Sequence, residues 1–192
     1  ISGSATVCQN SLFPAILFNN PNAQPITVNY TVNGVPANLN ISAGSSSQVL
    51  VSTVTPGNFV YELVSAMYQS GMGCLNPLTG SATVSVLPIP VATISGSITV
   101  CQGDVQPDIV IANPQSVPII VTYNINGSNQ TVVAVPGTSV VVKAPTNNEG
   151  VFVYNLVEVA YQSGIGCSNN PLGLSATVTV LGPPSATLSG DA

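Results

Sequence analysis

Four cysteines, six carboxylates and one lysine are the side chains with which this chain could do covalent, acid–base or metal chemistry, and its 192 residues include no histidine. Without histidine, neither a Ser-His-Asp nor a Cys-His nucleophile can be assembled. The carboxylates are Glu62, Asp104, Asp108, Glu149, Glu158 and Asp191. Glycoside hydrolysis needs two of them flanking one bond, and calcium needs several oxygen ligands in one place. Asp104 and Asp108 could contribute to one weak cation site, with solvation at the surface the favoured reading. No P-loop, dinucleotide fingerprint or EF-hand loop is present. The expectation is no enzyme: no catalytic residue, no cofactor and no metal.

The cysteines are Cys8, Cys74, Cys101 and Cys167. Zinc sites favour close pairs such as C-x-x-C, often with histidine, and neither occurs here. A reactive thiol needs an activating neighbour, and none is visible. Disulfides are the expected fate, which implies an oxidising compartment. The natural pairing is Cys8 with Cys74 and Cys101 with Cys167, each closing most of one repeat. In the chain-entropy view such a loop adds roughly 4 kcal/mol. A bridge of this kind would also tie together the two ends of a domain under tension.

Composition narrows the partners. Hydrophobic residues make up 45% of the chain and charged residues only 4%, against about 25% charged in an ordinary domain. That is a globular chain with a core, not a disordered one. Lys143 is the one basic residue, and the net charge is −5. Nucleic-acid binding draws on many Lys and Arg contacts to phosphate, so that class is excluded, as is docking on an anionic membrane. Pro, Thr, Asn and Ser interrupt every apolar run short of a membrane span.

The chain repeats itself. Ile1-Ser2-Gly3-Ser4-Ala5-Thr6-Val7-Cys8-Gln9 returns as Ile94-Ser95-Gly96-Ser97-Ile98-Thr99-Val100-Cys101-Gln102, an offset of 93. Asn33-Gly34 returns as Asn126-Gly127, Phe59-Val60-Tyr61 as Phe152-Val153-Tyr154, and Tyr68-Gln69-Ser70-Gly71 as Tyr161-Gln162-Ser163-Gly164. Ser81-Ala82-Thr83-Val84 matches Ser175-Ala176-Thr177-Val178 after a one-residue insertion near 168–170. A third copy begins at Leu188-Ser189-Gly190, so the natural protein is expected to continue. The domains expected are repeat 1 at 1–90, repeat 2 at 91–184, and the start of a third at 185–192. Proline-containing linkers at Leu87–Val91 and Leu181–Ser185 are stiff and extended, which predicts a rod.

Each repeat reads as a sandwich of strands. Val28, Tyr30 and Val32 alternate on one face, as do Val121, Tyr123 and Ile125, the period-two mark of a half-buried strand. The following Asn-Gly is the preferred two-residue hairpin turn. Strands are expected near 4–8, 15–19, 26–33, 36–42, 46–54, 58–69 and 80–87, with equivalents one repeat later and almost no helix. Alternating Phe59, Tyr61 and Leu63 have the spacing of the late central strand of an immunoglobulin-like domain, so the aromatics are read as core. The fold class is all-β: two tandem immunoglobulin-like sandwiches of about seven strands each. Leu50 stands where Lys143 does, which rules out a Lys–Asn isopeptide as a general feature. The N-x-S/T sequons at Asn29, Asn40, Asn126 and Asn129 are read as chance.

The string I-S-G-S-x-T-V-C-Q, then N-G, F-V-Y-x-L-V, Y-Q-S-G-x-G-C and S-A-T-V-x-V, resembles the Ig-like or PKD-like tandem repeats of giant Bacteroidota surface adhesins, including gliding-motility adhesins of the SprB type. The resemblance covers both copies. It implies export by the type IX pathway, display on the outer surface of a Gram-negative cell, and a filament that contacts surfaces or polysaccharide. The expected function is a rigid, disulfide-stapled spacer in such a filament, serving adhesion or gliding motility. The alternatives are a carbohydrate-binding module of a secreted protein and a subunit of a self-assembling surface layer. Expected partners are neighbouring repeats of the same chain and a surface polysaccharide or other extracellular ligand. The loops that differ between copies, Gln9–Asn20 against Gln102–Asn113 and Gly71–Gly80 against Gly164–Leu174, are the candidate contact surface.

Overall fold

The structure, a computed structural model, describes residues 1–70, 74–164 and 166–189. Parts of the two later variable loops, the glycine of the third-copy motif and Asp191 lie outside the described residues. The chain separates into two compact units, one spanning Ile1–Ile89 and the other beginning at Pro90. Among the described residues there is no helix, and so none long and apolar enough to cross a membrane.

Repeat 1 is built from β1 (Ala5–Cys8), β2 (Ala15–Asn19), β3 (Ile26–Val32), β4 (Val35–Ile41), β5 (Ser46–Leu50), β6 (Gly57–Tyr68), β7 (Leu75–Pro77) and β8 (Ser81–Leu87). The larger sheet runs β1-β8-β6-β3-β4, with β7 also on β6, and β2 pairs β5 in the smaller one. Repeat 2 follows with β9 (Thr93–Ser95), β10 (Ile98–Cys101), β11 (Asp108–Ala112), β12 (Ile119–Ile125), β13 (Ser128–Ala134), β14 (Ser139–Lys143), β15 (Gly150–Tyr161), β16 (Ser168–Asn169) and β17 (Ser175–Leu181). Its sheets run β10-β17-β15-β12-β13, with β16 on β15, and β14-β11-β9. The seven strands expected per repeat are present, with the short β7 besides in repeat 1 and the short β9 and β16 besides in repeat 2, and each repeat forms one larger and one smaller sheet.

Alternation places the core. Ile26, Val28 and Tyr30 point inward from β3, and Ala82, Val84 and Val86 from β8. Ile16 and Phe18 meet them from β2, and Phe18 lies 4.9 Å from Tyr30 between ring centroids. Tyr30 stacks on Tyr61 and Tyr123 on Tyr154, so these aromatics are core, as their spacing predicts. A register shift between Asn29 and Tyr30, matched between Thr122 and Tyr123, puts a bulge in the central strand of each large sheet.

The hairpin turns follow the Asn-Gly logic. Asn33 and Gly34 take φ of 48° and 80°, and Asn126 and Gly127 take 45° and 96°, the left-handed pair that a tight turn between twisted strands needs. Asn33 then reaches across to β6, where Oδ1 accepts the Val60 N–H at 2.8 Å and Nδ2 donates to the Asn58 carbonyl at 3.0 Å. Gly3 and Gly96 meet a different demand. At φ of 109° and 113°, each would place a Cβ 2.2 Å from the carbonyl oxygen of Ala15 or Asp108, so the Ser-Gly-Ser of each repeat is the point where β2 or β11 is approached too closely for a side chain.

Candidate functional site

The first strand of each repeat pairs with the last in parallel. Ala5 to Cys8 lie beside Val84 to Leu87, and Ile98 to Cys101 beside Val178 to Leu181. Both strands run from the leading end, where the repeat begins, to the trailing end, where its last strand stops. Cys8 therefore sits at the trailing end, next to Leu87, with the Gln9 N–H donating to the Leu87 carbonyl at 2.8 Å. Cys74 sits at the other end, just before β7, whose Leu75 faces Met67.

That placement overturns the pairing expected from sequence. Gly57 lies opposite Val86 and Met67 opposite Leu75, so the two cysteines are separated by ten residues of β6, about 33 Å at strand rise. A disulfide needs Cα atoms within about 7 Å. Repeat 2 repeats the geometry: Cys101 faces Leu181 at the trailing end, while the Cys167 carbonyl accepts the Tyr161 N–H at 3.1 Å at the leading end. Neither Cys8 with Cys74 nor Cys101 with Cys167 can close a bond within a sandwich. Cys74 and Cys101 are exposed free thiols, while Cys8 and Cys167 each take part in a disulfide. The matching cysteine spacing in the two copies suggests a loop closure, but sequence distance does not say at which end of a strand a residue lands.

The variable loops are held at both ends. Asn20, fully buried, donates Nδ2 to the carbonyls of Gln24, Ile41 and Ser42 at 2.9, 3.3 and 3.0 Å, while Oδ1 accepts from Asn22. Asn113 does the same with Val117 and Ala134, at 2.8 and 3.0 Å, and with the Gln115 N–H. Thr53 and Thr146, also buried, hold the other side through the Ser11 and Asp104 carbonyls at 2.6 and 2.7 Å. What remains free is the tip, where Leu12 and Phe13 in repeat 1 and Val105 in repeat 2 are exposed. The buried asparagines escaped the sequence reading, although Asn20-Pro21 and Asn113-Pro114 recur at the repeat offset.

The acids go to local work. Asp108 forms an ion pair with Lys143 across β11 and β14, and Asp104 Oδ2 accepts the Cys101 N–H at 2.9 Å. Among the described residues, no three His, Cys, Asp or Glu side chains gather in a way that could hold a metal. The sequon asparagines are likewise engaged: Asn29 with Ser65 at 3.1 Å, Asn40 with Thr27 at 2.7 Å, Asn129 with Asn124 at 2.7 Å, and Asn126 in its turn. Burial pushes the hydroxyls of Tyr61, Tyr123, Tyr154 and Tyr161 above the ordinary tyrosine range, with Tyr30 adding to Tyr61 and Tyr123 to Tyr154.

Repeat 1 has an open cleft of about 450 Å³ at its leading end, lined among others by Phe18, Asn22, Met67, Cys74, Leu75 and Asn76. In repeat 2 the segment Pro90–Thr93 lies over the equivalent residues. Ala92 is buried in the core, the Val91 N–H donates to Gln115 Oε1 at 2.9 Å, and Asn169 Nδ2 donates to the Pro90 carbonyl at 3.3 Å. Gln115 and Asn169 are the counterparts of Asn22 and Asn76.

No family model matches the chain, and no curated protein matches it. Among solved structures it is similar to a Ca2+-stabilised adhesin with which an Antarctic bacterium binds ice, at 14% identity and a TM-score of 0.42, over 94% of this chain and 47% of that one. A second is a 1.5-MDa bacterial ice-binding adhesin, at 16% identity and a TM-score of 0.43, over 94% of this chain and 62% of that one. The chain thus spans about half to three-fifths of these two. A third is the fibronectin(III)-like modules of Clostridium thermocellum CbhA, at 9% identity and a TM-score of 0.34, over 100% and 96%. At such scores the likeness assigns no function, and the sandwich described above rests on the chain's own strand pairing.

Proposed function

We propose that these repeats are tension-bearing spacers of a bacterial cell-surface adhesin. The observation that carries this reading is the parallel pairing of first and last strands in both repeats. The chain comes in before β1 at the leading end and leaves after β8 at the trailing end. Pulling on the two termini slides β1 along β8, and all of their ladder bonds are loaded together. An antiparallel terminal pair would instead be peeled open one bond at a time. The same arrangement in β10 and β17 makes every repeat a bead that resists extension.

The clamp is therefore in the ladder and not in a bridge within each repeat. An oxidising, extracellular setting at the surface of a Gram-negative cell agrees with a disulfide-bonded chain of this composition. Gliding adhesion, export by the type IX pathway and a Bacteroidota source are the finer form of the proposal, and rest on the repeat motifs. The repeats take no catalytic part in it.

Single-molecule stretching of the chain tests the spacer. Two unfolding events of similar force are expected, and Val7→Pro, which removes a ladder donor from β1, should weaken the first repeat alone. Equal forces in both repeats of that variant, with repeat 1 still folded, would overturn the clamp. Binding of the folded chain to a panel of polysaccharides would move adhesion itself into these repeats and favour the carbohydrate-binding alternative.

A further inference from the structure

Each repeat carries one Asn-Gly pair, Asn33-Gly34 between β3 and β4 and Asn126-Gly127 between β12 and β13. Asn-Gly is the dipeptide that most readily deamidates, because the glycine main-chain nitrogen can attack the asparagine Cγ with no side chain to obstruct it. Both turns are exposed, and a Cβ placed on either glycine would meet nothing within 4 Å, so water reaches them alike. In both, the asparagine side chain is tied by two bonds to the neighbouring long strand. Asn33 holds Val60 and Asn58 at 2.8 and 3.0 Å, and Asn126 holds Val153 and Val151 at 3.1 and 3.0 Å. Ring closure breaks those bonds first, in either repeat.

The two turns part at the nucleophile. In repeat 2 the Gly127 N–H donates to Asn124 Oδ1 at 2.7 Å, and Asn124 is itself fixed by donating Nδ2 to Asn129 Oδ1 at 2.7 Å. Asn124 thus holds the proton that the glycine nitrogen must lose before it can attack. The residue at this place in repeat 1 is Thr31, whose oxygen sits one bond nearer the main chain. Thr31 Oγ1 makes no hydrogen bond among the described residues, so it does not hold the Gly34 N–H.

We infer that Asn33 is a site of spontaneous deamidation, and that Asn124 guards the same pair in repeat 2. The Gly34 nitrogen gives up its proton and bonds Asn33 Cγ, the Cγ–Nδ2 bond breaks, and ammonia leaves with that proton. Water then opens the cyclic imide at one carbonyl or the other, to aspartate or to isoaspartate. Aspartate lacks the Nδ2 donor that serves the Asn58 carbonyl and sets a negative oxygen against it. Isoaspartate adds a methylene to the main chain of a two-residue turn whose φ values already fit the strands. Either product loosens the β3–β4 hairpin and adds one negative charge to a chain of net charge −5. β4 and β1 lie on opposite edges of the larger sheet, so this ageing leaves the β1–β8 ladder paired. The inference does not rest on the spacer role.

The test holds the folded chain at mildly alkaline pH and follows conversion of each asparagine by peptide mass spectrometry. Asn33 should convert roughly fivefold faster than Asn126, the factor that one ordinary hydrogen bond supplies. Isoaspartate should appear beside aspartate among the products. In denaturant the two rates should draw together. Thr31→Asn should slow conversion of Asn33, and Asn124→Thr should speed that of Asn126, each by about the same factor; either variant suffices if the other fails to fold. Equal rates in the folded chain, or a faster Asn126, would overturn the inference. So would a ratio that persists in denaturant, since flanking sequence would then set it, or a folded variant whose own turn reacts at the wild-type rate. Conversion of neither asparagine in the folded chain, under conditions where the denatured chain converts, also overturns it.

Discussion

Repeat 1 and repeat 2 run through the same strands in the same order, yet the smaller sheet has three strands in repeat 2 and two in repeat 1. The added strand is β9, and the residues just before it go with it: Ala92 is buried in the core of repeat 2. The recognisable motif starts at Ile1 and Ile94, but the folded unit starts earlier, at Pro90. A linker by sequence is thus a core segment by structure. Its prolines keep it extended, and that suits a segment that must lie along a sheet edge before it can pair.

The sharpest way to break this comparison is to charge the same alanine in both settings. Ala92→Glu puts a carboxylate into the core of repeat 2 with no partner, at a cost of at least about 3 kcal/mol. Ala186→Glu, at an exposed position after β17, should cost nothing measurable. Hydrogen exchange read by mass spectrometry resolves the two repeats, and loss of protection confined to repeat 2 of Ala92→Glu is the expected result. Protection equal to wild type would show that Pro90–Thr93 is only laid on the surface.

The buried asparagines should behave alike in both repeats. Asn20→Ala and Asn113→Ala each strand buried carbonyls, of Ile41 and Ala134 among others, and each should cost about 2 kcal/mol. Asn20 has more partners within reach than Asn113 and should show the larger loss in chemical denaturation. A smaller loss at Asn20 would mean that water from the open cleft replaces its donors, which sharpens the difference between an open repeat and a filled one.

Most of the sandwich was legible because its signals are local. Alternation at Val28, Tyr30 and Val32 names the buried face without any knowledge of the partner strand, and Asn33-Gly34 fixes a turn by the φ values it can adopt. The bulge opposite Tyr30 was not legible, since an extra residue in β6 is only a shift relative to β3. The disulfides failed for a related reason. Cys8 and Cys74 bracket repeat 1 in sequence, but a parallel first and last strand carries Cys8 away from the end where β7 begins. The docked segment carries its own signal, Pro-x-Ala-Thr-x-Ser at 90–95 and again at 184–189, but prolines between two repeats read as a linker.

Alkaline pH should separate the repeats next. A tyrosine whose folded pKa is raised contributes stability that is complete below its unfolded value of about 10 and is lost as pH rises through the folded value, because the native state then binds the proton that the unfolded state has released. Tyr123, Tyr154 and Tyr161 are raised in repeat 2, against Tyr61 in repeat 1. Stability of repeat 2 should therefore fall more steeply above pH 10, as followed by exchange or by denaturant midpoints of the two transitions.

The smallest effect is the most specific. Tyr154 is fully buried, and its hydroxyl has no hydrogen-bond partner among the described residues. An unpaired buried hydroxyl costs its desolvation with no bond in return, so Tyr154→Phe should leave repeat 2 as stable at neutral pH or raise it by up to about 1 kcal/mol. The ring that stacks on Tyr123 is kept, and the packing term is unchanged. The variant also removes one titrating group pushed up by burial and by Tyr123, so the alkaline fall of repeat 2 should become shallower and approach that of repeat 1. A loss of stability at neutral pH would show that the hydroxyl is paired in solution, through a water drawn into the core beside it.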